Sequence, residues 1–119
     1  MEKFKEKWNR QTVEDMGCVM SPSAKVFVSD FRRALKRSLA GTDIEIVSIK
    51  SGHYDFSGFV KKGDKYIYLS FSIPRHGMII AFSQRILYRA AKDTQDFRGG
   101  NNHFCSLGDI GEELKRALP

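Results

Sequence analysis

Apolar residues recur along this chain with two periods, the first typical of helices and the second of strands. Over residues 22–41 they recur every three or four positions, which predicts a helix with Ser21 as its N-cap. The preceding stretch, residues 2–16, places Phe4 and Trp8 on one side of a helical wheel and is predicted to form another helix. Two helices are therefore expected before the first strand.

From residue 42 the period of the apolar residues shortens to two, which is typical of strands. The alternation predicts four short strands, over residues 43–50, 53–61, 65–73 and 77–84. Only a few residues connect one strand to the next. Connections this short favour an antiparallel meander, because parallel neighbours need a long crossover.

The last third of the chain has a less regular pattern. Residues 84–97 fit either a fourth strand that extends to about Ala91 or a short helix, and we favour the strand. Residues 98–105 are predicted to form a loop, because Gly-Gly-Asn-Asn favours positive φ. A final helix is predicted to follow, with Ser106 as its N-cap and Asp109 in the position of a capping-box acid. Its apolar stripe consists of Leu107, Ile110, Leu114 and Leu118.

These elements, in the order α-α-β-β-β-β-α, predict an α+β fold. We expect a four-stranded antiparallel meander sheet with the helices packed on one face. Residues 1–119 are long enough for one domain with its own core, and no repeat or linker divides them. The helix–three-strand–helix order resembles that of double-stranded-RNA-binding domains. The extra strand, the extra N-terminal helix and the acidic start of the last helix, SLGDIGEELK, depart from that family.

Charge is distributed unevenly along the chain and around the predicted elements. The net charge is +6, and residues 1–40, 41–92 and 93–119 carry +4, +4 and −2. One side of the predicted helix over 22–41 is apolar, and the other is almost wholly basic, with Asp30 at its edge. Five cations share about 140° of this arc, namely Lys25, Arg32, Arg33, Lys36 and Arg37. An arc so poor in acids suits a phosphate backbone or an acidic protein surface, whereas a merely solvated helix face usually mixes both signs.

A second candidate surface is the polar side of the predicted sheet. Tyr66 and Tyr68 lie on this side, and three lysines adjoin them at the hairpin, namely Lys61, Lys62 and Lys65. Aromatic rings flanked by lysines stack unpaired bases in several proteins that bind single strands. Ordinary cross-strand packing of tyrosines is the commoner explanation of such a pattern.

The loop 98–105 is the remaining place where the sequence suggests chemistry. The segment Gly99-Gly100-Asn101-Asn102 could form an anion-binding nest reinforced by Arg98, but the lysine and hydroxyl of a Walker motif are missing. A role of this loop in contacting a partner is a possibility that the sequence leaves open. Cys105 directly precedes the start of the last helix, where backbone dipoles could activate a thiol, with His103 or His76 as the base. No local motif supports such an enzyme, and the spacing of cysteines and histidines does not fit a zinc site.

The expected cellular location rests on the lack of long apolar runs and on the small number of cysteines. The first ten residues are rich in charge, and the longest apolar run, residues 78–82, is too short to cross a bilayer. Two cysteines are too few for a disulfide scaffold. We therefore expect a soluble cytoplasmic protein without a membrane partner.

The sequence thus favours a small non-enzymatic binding protein with no cofactor. Its basic helix is expected to dock on nucleic acid or a nucleoprotein. The alternative is a protein–protein inhibitor or adaptor that binds an acidic surface. A phage or mobile-element inhibitor of a host nucleic-acid-handling enzyme, such as a CRISPR effector, would have this size and charge. The pattern indicates no oligomeric state.

Overall fold

Two α-helices and five strands occur in the part of the chain that the computed structural model describes, which is residues 1, 4, 22–51, 55–72, 85–97 and 100–119. The elements are α1 (Pro22–Ser38), β1 (Glu45–Ser51), β2 (Asp55–Lys62), β3 (Lys65–Ser72), β4 (Arg85–Ala91), β5 (His103–Ser106), a 3₁₀ turn (Leu107–Asp109) and α2 (Ile110–Ala117). Among these residues, no helix is long and apolar enough to cross a membrane.

The strands form one antiparallel sheet in the order β1-β2-β3-β4-β5. Each strand therefore pairs with its neighbour in the chain, as a meander requires. The β2–β3 hairpin closes with Lys62 opposite Lys65, and Gly63 takes the positive φ of 62° that this tight turn needs. The prediction of an α+β fold with an antiparallel meander is confirmed.

The number of strands differs from the prediction of four. Residues 103–105, predicted as loop, and Ser106, predicted as the N-cap of the last helix, form the edge strand β5 against β4. The glycines and asparagines just before this segment made it look irregular, and its four residues are too few to show a period of their own. The extension of the predicted fourth strand up to about Ala91 is confirmed as β4, whereas the first part of that strand, over 77–84, lies outside the described residues.

The predicted order of helices is matched only in part, since α1 is the one complete helix before β1 among the described residues. The helix predicted over residues 2–16 lies outside the described residues apart from Phe4. That residue is helical and buried, and its ring lies 5.6 Å from Phe27 and 5.8 Å from Phe31 between centroids. Phe4 therefore packs on α1, within the core.

The core lies between the helices and one face of the sheet. Phe31 and Phe27 of α1 contact Phe56 of β2 at centroid distances of 4.7 and 6.3 Å, and Phe27 lies 6.0 Å from Phe71 of β3. Burial of each such ring stabilises the fold by roughly 1.5–3 kcal/mol. The predicted stripe of the last helix is buried in the same core, namely Leu107, Ile110, Leu114 and Leu118. We call the opposite face, which neither described helix covers, the open sheet face.

The helix ends agree with the sequence only in part. The structure has α1 beginning at Pro22, as predicted, and Gly41 follows its last turn with a φ of 83°. Ser106 precedes the 3₁₀ turn, and Asp109 precedes α2, but neither side chain caps the backbone. The predicted capping box is wrong, because the 3₁₀ turn inserted between Ser106 and α2 changes the spacing on which such a box depends.

Candidate functional site

The basic helix face is the outward side of α1 and consists of Lys25, Arg32, Arg33, Lys36 and Arg37. All five side chains are exposed. They point outward because, with 3.6 residues per turn, Phe27, Phe31 and Leu35 lie on the opposite side of α1. These three side chains are fully buried. From Lys25 to Arg37 the face extends about 18 Å along the helix axis.

Most of the positive charge on this face is not neutralised by the described part of the chain. Arg33 is the exception, since its guanidinium donates a hydrogen bond to the carboxylate of Asp30, three residues earlier. Within the described ranges, no carboxylate lies at ion-pair distance from the other four cations, Lys25, Arg32, Lys36 and Arg37. Unpaired cations in a row attract a polyanion at low salt.

The relief of the basic helix face is shallow. A depression of about 340 Å³ lies among Arg33, Lys36, Arg37 and Ala40. Val26, 43% exposed, is the large hydrophobic residue of this face, and the other exposed ones among the described residues are Val47, Phe97 and Phe104. As far as the described residues go, the face therefore offers charge but no aromatic ring on which a base could stack.

The tyrosines and lysines that the sequence grouped together are divided between two sides of the sheet. The alternation of β3 turns Leu69 and Phe71 into the core, so Tyr66 and Tyr68 lie on the open sheet face. Lys61 pairs with Tyr66 and shares this face. Lys62 and Lys65 pair with each other at the hairpin end. Because side chains alternate along a strand, these two lysines lie on the opposite side from Lys61 and Tyr66. Since α1 packs against the other face of the sheet, the tyrosines and the basic helix face lie on opposite sides.

Tyr68 is held inside an aromatic cluster, which leaves little of its ring for a ligand. Its ring lies 5.3 Å from Phe59 and 6.1 Å from Phe97 between centroids. The guanidinium carbon of Arg89 lies 4.6 Å from the centroid of the same ring. This arrangement agrees with cross-strand packing, the commoner of the two explanations, and Phe97, 59% exposed, is the accessible ring of the cluster.

Arg89 is a residue whose importance the sequence did not reveal. Only 3% of it is exposed, and it donates hydrogen bonds to the backbone oxygens of Asp96 (2.7 Å) and Ala90 (3.3 Å). Its guanidinium also lies 3.8 Å from the Asp96 carboxylate. Arg89 thereby fastens the turn after β4 across the open sheet face. In the sequence it is simply one more arginine on the polar side of a strand.

The predicted anion-binding loop is only partly described. Arg98 and Gly99 lie outside the described residues, so the proposed nest remains a prediction. Gly100 has a φ of 75°, and a Cβ there would approach the Ala90 backbone oxygen to 2.8 Å. This glycine therefore lets the chain pass close to β4 before β5 begins.

The environment of Cys105 opposes its use as a nucleophile. Burial, together with the nearby carboxylates of Glu113 and Asp109, raises the pKa of the Cys105 thiol to about 11. The thiol is therefore protonated at neutral pH, whereas an activated cysteine has a lowered pKa. Over the described stretches, no three His, Cys, Asp or Glu side chains come together as a metal-ion site.

Comparison of the chain with protein-family models, curated proteins and solved structures finds no match.

Proposed function

We propose that this chain is a small non-enzymatic binding protein that docks its basic helix face on nucleic acid or a nucleoprotein. The observation that carries the proposal is that Lys25, Arg32, Lys36 and Arg37 are exposed with no carboxylate partner among the described residues. Duplex DNA carries one negative charge per about 1.7 Å of its axis, so a row of cations about 18 Å long is long enough to span several phosphates.

A salt titration of duplex binding tests this proposal. If each of the four unpaired cations neutralises one phosphate, the plot of log K against log salt has a slope of about −3.6. Replacing two of them in the variant Lys36→Gln/Arg37→Gln should reduce the slope by about 1.8 and weaken binding at low salt. Fluorescence anisotropy with a labelled random-sequence duplex measures both quantities.

The matched control removes the same charge from the open sheet face. Lys50 and Arg85 are exposed and lie there, since their neighbours Ile49 and Ile86 are buried in the core. The variant Lys50→Gln/Arg85→Gln should leave the affinity and the slope unchanged. Unchanged binding by the helix variant, or an equal loss in the control, would reject docking through the basic helix face.

The second candidate function is inhibition or bridging of another protein, and the exposure of Val26 favours it. An apolar side chain among cations adds nothing to phosphate binding but suits an interface with an acidic protein that has an apolar centre. In that case a partner should stay bound after nuclease treatment, and Val26→Asp should release it. A complex that nuclease dissolves would favour direct nucleic-acid binding instead.

A further inference from the structure

A second concavity lies between α2 and the sheet, away from the basic helix face. Its volume is about 640 Å³, within the range of about 300–1,000 Å³ that is common for small-molecule sites. Its described lining comes from the β2–β3 turn, from β3, β4 and β5, and from α2, with no residue of α1. We call this concavity the α2 cleft.

The walls of the α2 cleft are largely apolar and partly aromatic. Ile67 and Leu118, both buried, belong to its lining, together with Ala90. The rings of Tyr88 and His103 stack with centroids 5.5 Å apart and planes inclined by 29°. A flat apolar molecule finds dispersion contacts and a stacking surface there.

One acid of the cleft, Glu113, already has partners for both of its carboxylate oxygens. Tyr88 donates its hydroxyl hydrogen to one oxygen of Glu113 (2.9 Å), and Arg116 approaches the other oxygen at 3.0 Å. Burial and the hydrogen bond to Glu113 raise the pKa of Tyr88, so its hydroxyl stays protonated at neutral pH. The negative charge of Glu113 is therefore matched within the wall.

The charges left over in the lining are mainly positive. Lys65 and Lys92 are exposed, and neither forms an ion pair within the described part of the chain. The other acid of the lining is Asp64, in the turn next to Lys65. Two cations against one carboxylate give this end of the cleft an excess positive charge, which favours an anionic group there.

We propose that the α2 cleft binds a small molecule with a flat apolar body and one anionic group. The body lies against Tyr88, His103 and the aliphatic wall, and the anion lies between Lys65 and Lys92. This site is independent of the basic helix face, because none of its described lining residues belongs to α1.

Two dyes with nearly the same skeleton test the proposal. Anilinonaphthalene sulfonate has a flat body and an anion, whereas phenylnaphthylamine lacks the sulfonate. Fluorescence titration should show one sulfonate dye bound per chain. The variant Lys65→Gln/Lys92→Gln should weaken the sulfonate by about tenfold and the neutral dye by less than about twofold.

A blocking variant locates the dye independently of charge. Ala117 is exposed and lines the cleft, so Ala117→Trp should fill it and abolish binding of both dyes. Ser51→Trp, at an exposed residue of β1 outside both the cleft and the basic helix face, is the control and should bind both dyes normally.

Amide resonances provide a readout that needs no variant. On addition of the sulfonate dye, residues 64–67, 88–92 and 113–118 should shift most. Shifts spread over the whole sheet, several dyes per chain, or sulfonate binding that survives both Ala117→Trp and Lys65→Gln/Lys92→Gln would overturn the proposal. Failure here leaves the duplex-binding test untouched, because the two sites share no described residue.

Discussion

At the scale of single residues, the same side chain does different work according to its surroundings. Arg37 is exposed and unpaired within the described part of the chain, so its charge is available to a partner. Arg89 is buried beneath the turn after β4, with Asp96 and the Tyr68 ring as neighbours. Buried guanidinium groups need such partners, because an isolated charge in the core is very costly.

Arg89→Ala should lower the free energy of unfolding by about 3 kcal/mol, since it removes a buried cation and its hydrogen bonds to the turn. Urea denaturation followed by fluorescence measures the change. Arg89→Lys should recover only part of it, because an ammonium group lacks the planar fork that reaches two backbone oxygens. Arg85→Ala, an exposed arginine on the same strand and face, is the control. A loss no larger for Arg89→Ala than for Arg85→Ala would contradict this structural role.

At the scale of elements, the pairing of β1 with β2 depends on a bulge and on a glycine. The register shifts between Ile46 and Ser48, which leaves Val47 as the extra residue. Gly58 lies opposite this region, and a Cβ there would come within 2.0 Å of the Ser48 backbone oxygen. The two strands can approach this closely only because residue 58 has no side chain.

Gly58→Ala should therefore destabilise the protein by about 3 kcal/mol, because the atom in its way belongs to the backbone and cannot rotate aside. The matched control is Gly63→Asn, at a turn position with a positive φ of 62° and open space around it. Asparagine tolerates that conformation, so this variant should lose less than about 1 kcal/mol. Thermal denaturation of both variants compares them. Equal melting temperatures would show that β1 can move away from β2.

At the scale of the whole molecule, the two surfaces that the sequence suggested lie on opposite sides. The basic helix face looks away from the sheet, because the other side of α1 packs against Phe56 and Phe71. Tyr66 and the aromatic cluster around Phe97 lie on the open sheet face. One short duplex cannot lie along both surfaces at once.

Removal of the aromatic groups should consequently leave duplex binding intact. Tyr66→Ala and Phe97→Ala are each expected to change duplex affinity by less than about twofold, whereas Lys36→Gln/Arg37→Gln weakens it strongly at low salt. The same anisotropy titration measures all three variants. If Phe97→Ala weakens binding as much as the helix variant does, the open sheet face takes part in binding and the proposed docking geometry is wrong.

Much of the fold was predictable because helices and strands show in the local spacing of apolar residues. The 3.6-residue spacing around Phe27 and Phe31 defined α1 and its basic side, and the alternation around Leu69 defined β3 and its two faces. The strand His103–Ser106 was not predictable, because four residues show no period and become a strand only by pairing with β4. The aromatic cluster and the α2 cleft could not be predicted from the sequence either, because their residues come from separate elements that meet only in the folded chain.

The sequence by itself therefore determined α1, α2, the antiparallel order of β1 to β4 and the concentration of cations on one side of α1. Only the tertiary structure decided which charges are neutralised, which rings are enclosed and which surfaces face the same way. The physical reason is the distance along the chain over which the interactions act. Backbone period and helical-wheel position depend on neighbours within a few residues, whereas the contact of Tyr88 with Glu113, 25 positions later, exists only after the chain has folded.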